Sequence, residues 1–371
     1  MSGGITQLVA TGVQDAYLSG TPEVSFFRSS YKRYTHFAST VERQLIQGSV
    51  SNGGTSTIRF EKKGDLLSHL YLTAVDTTGA SIPGINWGDV ISKIELLIGG
   101  QVIDTQDEFF INTIEPVTGA QTLSTRYVGA DDTGNIFMPL KFFFCKDWQS
   151  ALPLVALQYH DVELRITWGS AATTTQGDGN NVTPASYVMW SRFIYLDKDE
   201  REFFAKKSHD MLITQVTRSA ISPASNYEFA LSQPVKYVAF KTNNYISTYN
   251  TGGTRATAQK YQFKIQINGN DIGESRTLDH WVNANQYYLT PFGYKSDGNL
   301  SQIAIIPFCI DTAKLQPTGT LNFSRIDTFR LIAPSGTTFV DIADPLCKYF
   351  YAVNYNILRI QNGMAGILYA S

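Results

Sequence analysis

Five histidines, three cysteines and the acidic pairs Asp107-Glu108 and Asp131-Asp132 are the residues of this 371-residue chain singled out as types that could do chemistry. His36, His69, His160, His209 and His280 lie far apart, without the spacing that metal ligands need. Cys145, Cys309 and Cys347 are too few and too scattered for a disulfide framework or a zinc site. They read as reduced, buried, small apolar residues. There is no Gly-x-Ser-x-Gly elbow, no His-Glu-x-x-His, no Walker A loop, no Gly-x-Gly-x-x-Gly and no EF-hand loop. No residue is therefore assigned a catalytic, cofactor-binding or metal-binding role, and the chain is expected not to be an enzyme. Asp107-Glu108 follows a strand pattern and could open a short helical turn, whereas Asp131-Asp132 in a Gly/Thr loop reads as solvated. A glycosidase would need two carboxylates facing each other ~5–9.5 Å apart across a groove, which leaves that reading a weak rival. Of three Asn-x-Ser/Thr triplets, Asn322 falls in a predicted strand and Asn181 is followed closely by Pro184. Asn299, in the loop Lys295–Leu300, is the candidate glycosylation site.

Composition narrows the class. Lys+Arg 30 against Asp+Glu 32 leaves a net charge of −2, and charged residues are only 17% of the chain, where about 25% is usual. Aromatics reach 13%. Such a chain can bury enough apolar surface to fold, and it lacks the basic excess of a protein that coats nucleic acid. Direct nucleic-acid binding is not expected. No apolar run approaches the ~18 residues of a membrane span, and the start Met1–Ile5 lacks signal-peptide character. The length suggests two domains.

The elements that must position any site are strands. Ile94, Leu96 and Ile98 alternate up to Gly99-Gly100, and Phe263, Ile265 and Ile267 alternate up to Asn268-Gly269. Both pairs can take positive φ and close a hairpin. Further strand-like runs are 41–50, 57–60, 66–75, 157–168, 187–196, 211–216, 235–242, 320–331 and 350–360. Between them lie Gly/Ser/Thr/Asn-rich loops, the longest at 169–186. One helix is predicted near the start: Thr21 as N-cap, Pro22 at the first position, Val24, Phe27, Tyr31 and Tyr34 on one face, and Arg28, Lys32 and Arg33 in the later turns.

The chain also repeats itself. A shift of 164 residues carries Phe144-Cys145 to Phe308-Cys309, Pro153 to Pro317, Leu157 to Leu321 and Val162 to Ile326. A shift of 169 superposes the two hairpins, and a shift of 163 lays 187–194 over 350–357. Three blocks in one order imply two copies of one sandwich joined near 197–207. The expected fold is all-β: two tandem eight-stranded jelly-roll sandwiches, with a short N-terminal helix and a few short helices in loops. The expected parts are an arm with its amphipathic helix at 1–37, a first jelly roll at 38–200 and a second at 201–371.

Specific motifs then carry a family resemblance. The segment Asp15–Arg28, continuing through Tyr31–Ala38, resembles the N-terminal signature of major capsid proteins of nucleocytoplasmic large DNA viruses. Gly64-Asp65-Leu66-Leu67, the stretch Leu196–Ala205 with His209, Gln233–Lys236, Gln316–Gly319 with Asn322–Asp327, and Tyr355–Met364 resemble further blocks of that family, in order along the chain. The resemblance implies a structural virion protein. Three copies would form a pseudo-hexagonal capsomer, and capsomers would tile an icosahedral shell, in a virion assembled in the host cytoplasm. It places the arm at the inner face, where Phe26, Arg28, Tyr31, Lys32 and Arg33 would meet minor capsid proteins or the inner-membrane layer. A minor or vertex capsid protein of the same fold, or a glycan-binding jelly roll, are the alternatives. Loops that form outward towers in many relatives look short here. Phe and Tyr outside the two cores should concentrate at subunit contacts.

Overall fold

Alternation builds most of residues 37–369. In the strand Val162–Trp168 every second residue, from Val162 to Trp168, is buried while those between are half-buried, because successive strand side chains point to opposite faces. A computed structural model of the chain describes residues 2–10, 12–83, 85–119, 137–177, 180–243, 261–291 and 302–369. Asp131-Asp132 and Asn299 lie outside them. Residues 1–36 form one unit and residues 37–371 another.

The first unit holds a short helix, but not where the apolar spacing predicted one. Helix covers Ser2–Val9, followed by single turns at Val13–Asp15 and Ala16–Ser19. Residues 20–36 contain neither helix nor strand, only a turn in which the Arg28 amide donates to the Ser25 carbonyl. The predicted apolar face buries nothing: Val24, Phe27, Tyr31 and Tyr34 are all well exposed. A helix of this length needs a packed face to persist, and Ser25, Ser29 and Ser30 offer competing local hydrogen bonds.

The second unit contains, in chain order, β1 (Phe37–Gln44), β2 (Thr55–Arg59), β3 (Leu66–Val75), β4 (Ile91–Ile98), β5 (Gln101–Gln106), β6 (Phe137–Pro139), β7 (Leu152–Pro153), β8 (Val162–Trp168), β9 (Thr175–Gly177), β10 (Asn180–Val182) and β11 (Ser186–Leu196). There follow β12 (His209–Ala220), β13 (Asn226–Glu228), β14 (Pro234–Lys241), β15 (Gln262–Ile267), β16 (Asn270–Thr277), β17 (Ile303–Pro307), β18 (Leu321–Asn322), β19 (Phe329–Ile332), β20 (Tyr349–Gln361) and β21 (Met364–Ile367). One sheet runs β1-β11-β3-β6, with β7 also on β3, and faces a sheet β2-β8-β4-β5. The later strands repeat this as β12-β20-β14-β17, with β18 on β14 and β21 on β20, facing β13-β19-β15-β16. With the broken sixth strand counted once, and the β9–β10 hairpin and β21 set aside, both halves read 1-8-3-6 over 2-7-4-5. That is the double jelly roll the internal repeat implied.

Two of the three sequence shifts agree with this pairing and one does not. Gly99, Gly100, Asn268 and Gly269 all take positive φ, as the two hairpin turns require. The shift of 163 places Ser191 over Asn354, and each flanks a bulge against the third strand of its own half. Followed across the sheets, Trp190 pairs with Tyr71 and Tyr71 with Pro139, while Val353 pairs with Tyr237 and Tyr237 with Pro307. Pro139 and Pro307 therefore correspond, a separation of 168 residues instead of 164, and the Phe-Cys match is out of register by four. The sixth strand is interrupted in both halves, and residues between its pieces are free to drift.

The linker begins a helix, Lys198–Lys206, whose first amide is capped by Asp197 (2.8 Å). Arg201 grips the half-buried end of the first sandwich through Asp65, with Nε–Oδ1 2.9 Å and Nη2–Oδ2 3.0 Å, and Asp65 also accepts from the Leu196 amide at 2.8 Å. Gly64 must be glycine, since a Cβ there would sit 2.7 Å from Phe193 Cβ. A continuous apolar core includes buried residues from both halves.

Candidate functional site: the joint between the sandwiches

The edge strand β5 of the first sandwich meets β12, the edge strand of the second. The Gln215 side chain donates to the Ile103 carbonyl, and the Val216 amide donates to Asp104 Oδ1 at 2.9 Å. Asp107 lies just beyond β5. Its Oδ1 caps the Phe110 amide (2.9 Å), opening the helical segment Phe110–Thr118 as the sequence suggested, and its Oδ2 accepts from Tyr351 (2.9 Å) and Arg218 (3.2 Å). Phe109 stacks on the Tyr351 ring at 5.9 Å. The Tyr237 hydroxyl donates to Thr118 Oγ1 (2.9 Å), and Thr312 Oγ1 donates to the Thr118 carbonyl (2.8 Å). A second seam joins the Tyr159 amide to the Gly363 carbonyl (3.0 Å), and the Ala365 amide to His160 Nδ1 (3.1 Å). Gly363 has positive φ and would press a Cβ to 2.8 Å from the Tyr159 ring.

These contacts lock two sandwiches into one body. Sequence reading singled out Asp107 only as a helix start and missed Asp104, Gln215, Arg218 and Tyr351. Their partners are more than a hundred residues away, and no local pattern marks them.

Burial pushes the Asp104 carboxyl up to about 6, against the opposing pull of the Val216 and Thr105 amides, Gln106 and Lys146. A carboxyl raised in the folded state contributes stability below its unfolded value, lost as pH rises through the folded one. Between pH 4 and 6, wild-type stability should therefore fall relative to Asp104→Asn, by about 3 kcal/mol at most. Chemical denaturation at pH 4.5 and 7.5 reads this difference. Parallel pH profiles would show that the buried carboxyl does not titrate there.

The other sequence candidates do not converge. Phe26, Arg28, Tyr31, Lys32 and Arg33 are all exposed in the extended part of the arm, and no helix gathers the three cations on one face. The cysteines are free and buried, and burial pushes the thiols of Cys145 and Cys347 up to about 12. Among the described residues, no group of three or more His, Cys, Asp or Glu side chains is placed to hold a metal. Asn322 caps the turn after β18, its Oδ1 accepting from the Ser324 amide and hydroxyl.

This geometry has known relatives. The family described as major capsid protein N-terminus matches residues 25–197, and that described as large eukaryotic DNA virus major capsid protein matches residues 200–366. The chain is 30% identical to the major capsid protein of Pyramimonas orientalis virus over 413 aligned residues, covering all of both chains. It is likewise 30% identical to that of Paramecium bursaria Chlorella virus 1, over 447 residues and again all of both. The chain belongs to the major capsid proteins of large eukaryotic DNA viruses. The solved structure of PBCV-1 VP54 superposes with a TM-score of 0.71 at 27% identity, covering 94% of this chain and all of that one. The Faustovirus major capsid protein shares the fold, with a TM-score of 0.63 at 10% identity, covering 95% of this chain and 94% of that one. The two family matches meet at the linker, where Arg201 holds Asp65. Two of the motifs that carried the resemblance are thus one ion pair in space.

Proposed function

We propose that this capsid protein works without catalysis, as a homotrimer whose six sandwiches outline a pseudo-hexagonal capsomer, and that capsomers tile an icosahedral shell. The observation that carries this is the joint. Two copies of one sandwich held rigidly by this joint form a building block with two similar sides, suited to the permanent, relatively apolar interfaces of obligate assemblies. The three parts would divide the work: jelly rolls at 38–200 and 201–371 form the wall, and the arm at 1–37 faces inward. There Arg28, Lys32 and Arg33, with Phe26 and Tyr31, would contact minor capsid proteins and the inner-membrane layer, in particles assembled in the host cytoplasm.

The test is an Arg28/Lys32/Arg33→Ala variant alongside wild type. Light scattering should give both a mass of about three 41.2 kDa chains, while the variant is lost from purified virions. Monomers at every concentration would overturn the capsomer. Normal incorporation of the variant would overturn the role of the arm.

A further inference from the structure

Among the described residues, the duplicated fold makes one joint and leaves its duplicate unmade. In the second sandwich, Tyr237 and Val353 are each only 3% exposed, and Tyr237 is held by Thr118 from the first sandwich. By the register described above, their counterparts in the first sandwich are Tyr71 and Trp190. These two rings stack (6.4 Å between centroids), with Phe137 edge-on to Tyr71 at 5.5 Å. None of the three rings belongs to the core, and Phe137 is 38% exposed.

The other side of the joint is duplicated too. Helical segments of the same form, a wide π turn running into an α turn, occupy Phe110–Thr118 and His280–Leu289. They start 170 residues apart, which puts Tyr288 in the place of Thr118. Tyr287 and Tyr288 are 66% and 78% exposed, and the adjoining strand β16, counterpart of β5, is exposed along its whole length.

We infer that the helix His280–Leu289 of one copy docks on the outer face of the β1-β11-β3-β6 sheet of a second copy, with Tyr288 against Tyr71 and Trp190, repeating between chains the joint made within each. The occupant is a second copy because this chain already contains both halves of that contact and shows how they fit. β16 and β1 are the counterparts of β5 and β12, the two edge strands that meet within the chain. The contact is heterologous, so each copy offers one helix and one sheet face, and such contacts close into a ring when the rotation between copies closes, as a threefold does. Buried aromatic anchors of this type dominate permanent interfaces. The inference rests on the capsomer reading and names the residues that would close it.

The test uses the full chain. Tyr288 is exposed, so Tyr288→Asp should leave the fold intact by circular dichroism yet weaken assembly by about 30-fold or more. With Tyr288→p-benzoylphenylalanine, irradiation of the assembled protein should link position 288 to residues 66–75 or 186–196 of another copy, read by mass spectrometry. Trimers that resist Tyr288→Asp, or that cross-link only elsewhere, would overturn this contact while leaving the capsomer standing. A wild-type chain that never assembles would overturn both.

Discussion

An Asp107→Ala variant is expected to unfold about 3–5 kcal/mol more easily than the wild-type chain, the loss typical of breaking one side of a buried ion pair. The carboxylate is 9% exposed and serves three donors at once: the Phe110 amide, Arg218 and Tyr351. Truncation leaves the Tyr351 hydroxyl without its acceptor at a site 1% exposed. Burial and the neighbouring Asp107 charge push that phenol well above its ordinary range, so it stays protonated and must find an acceptor. Arg218 is less dependent, since its guanidinium also lies 5.3 Å from the Tyr349 ring centroid. Removing Arg218 as well should recover part of that loss, because no half-buried cation is then left without its carboxylate, while the Tyr351 hydroxyl still lacks its acceptor. The comparison of Asp107→Ala with Asp107→Ala/Arg218→Met, in urea at fixed protein concentration, isolates this effect. A single variant within about 1 kcal/mol of wild type would mean that the joint does not depend on this carboxylate.

The same carboxylate shows where sequence reading stops. A strand ending in Asp-Glu before an apolar run is a local pattern, and the helical turn it opens was legible. That its second oxygen binds Tyr351, 244 residues later, has no local trace. The hairpins at Gly99-Gly100 and Asn268-Gly269 were legible because a two-residue turn needs special residues at fixed places. The two-sandwich architecture was legible from the repeat, since a duplicated sequence copies its fold, whereas the order of strands within each sheet is seen only in the structure. The sixth strand misled because it is broken, and matching Phe144-Cys145 to Phe308-Cys309 followed residue likeness across an interruption where spacing is not conserved between the halves. The helix predicted over Thr21–Tyr34 failed for a different reason. Its amphipathic spacing is real, but an apolar stripe selects a helix only where something covers it, and those side chains are exposed. The aromatic excess noted in the composition divides accordingly: some rings fill the two cores, and others, such as Tyr287, Tyr288 and those of the arm, lie outside them.

Phe350→Ala should be as damaging as the loss of Asp107, about 3–5 kcal/mol, by an unrelated route. Phe350 is fully buried on β20, which pairs with both β12 and β14 at the centre of its sheet. Its ring lies 4.7 Å from Tyr227, 4.9 Å from Phe240, 5.2 Å from Phe229 and 5.8 Å from Phe339, mostly edge to face. Truncation opens a cavity that four other aromatics, each fixed by its own strand or turn, cannot close without leaving their rotamers. Phe350→Leu, which keeps most of the volume, should cost much less. The duplicate position in the first sandwich is Tyr187, packed 4.9 Å from Trp168 with its hydroxyl donating to the Ala172 carbonyl at 2.8 Å. That site shares its load between packing and a hydrogen bond, whereas Phe350 depends on packing alone. The alanine variant should therefore loosen the second sandwich selectively, and with it the helix His280–Leu289, whose Trp281 stacks on Phe263 at 4.7 Å in the same core. Urea unfolding measures the stability, and light scattering of the folded fraction follows assembly in the same samples. Loss of assembly in step with stability is the expected result. Full stability in Phe350→Ala would mean that these rings do not form the packed centre of the sandwich.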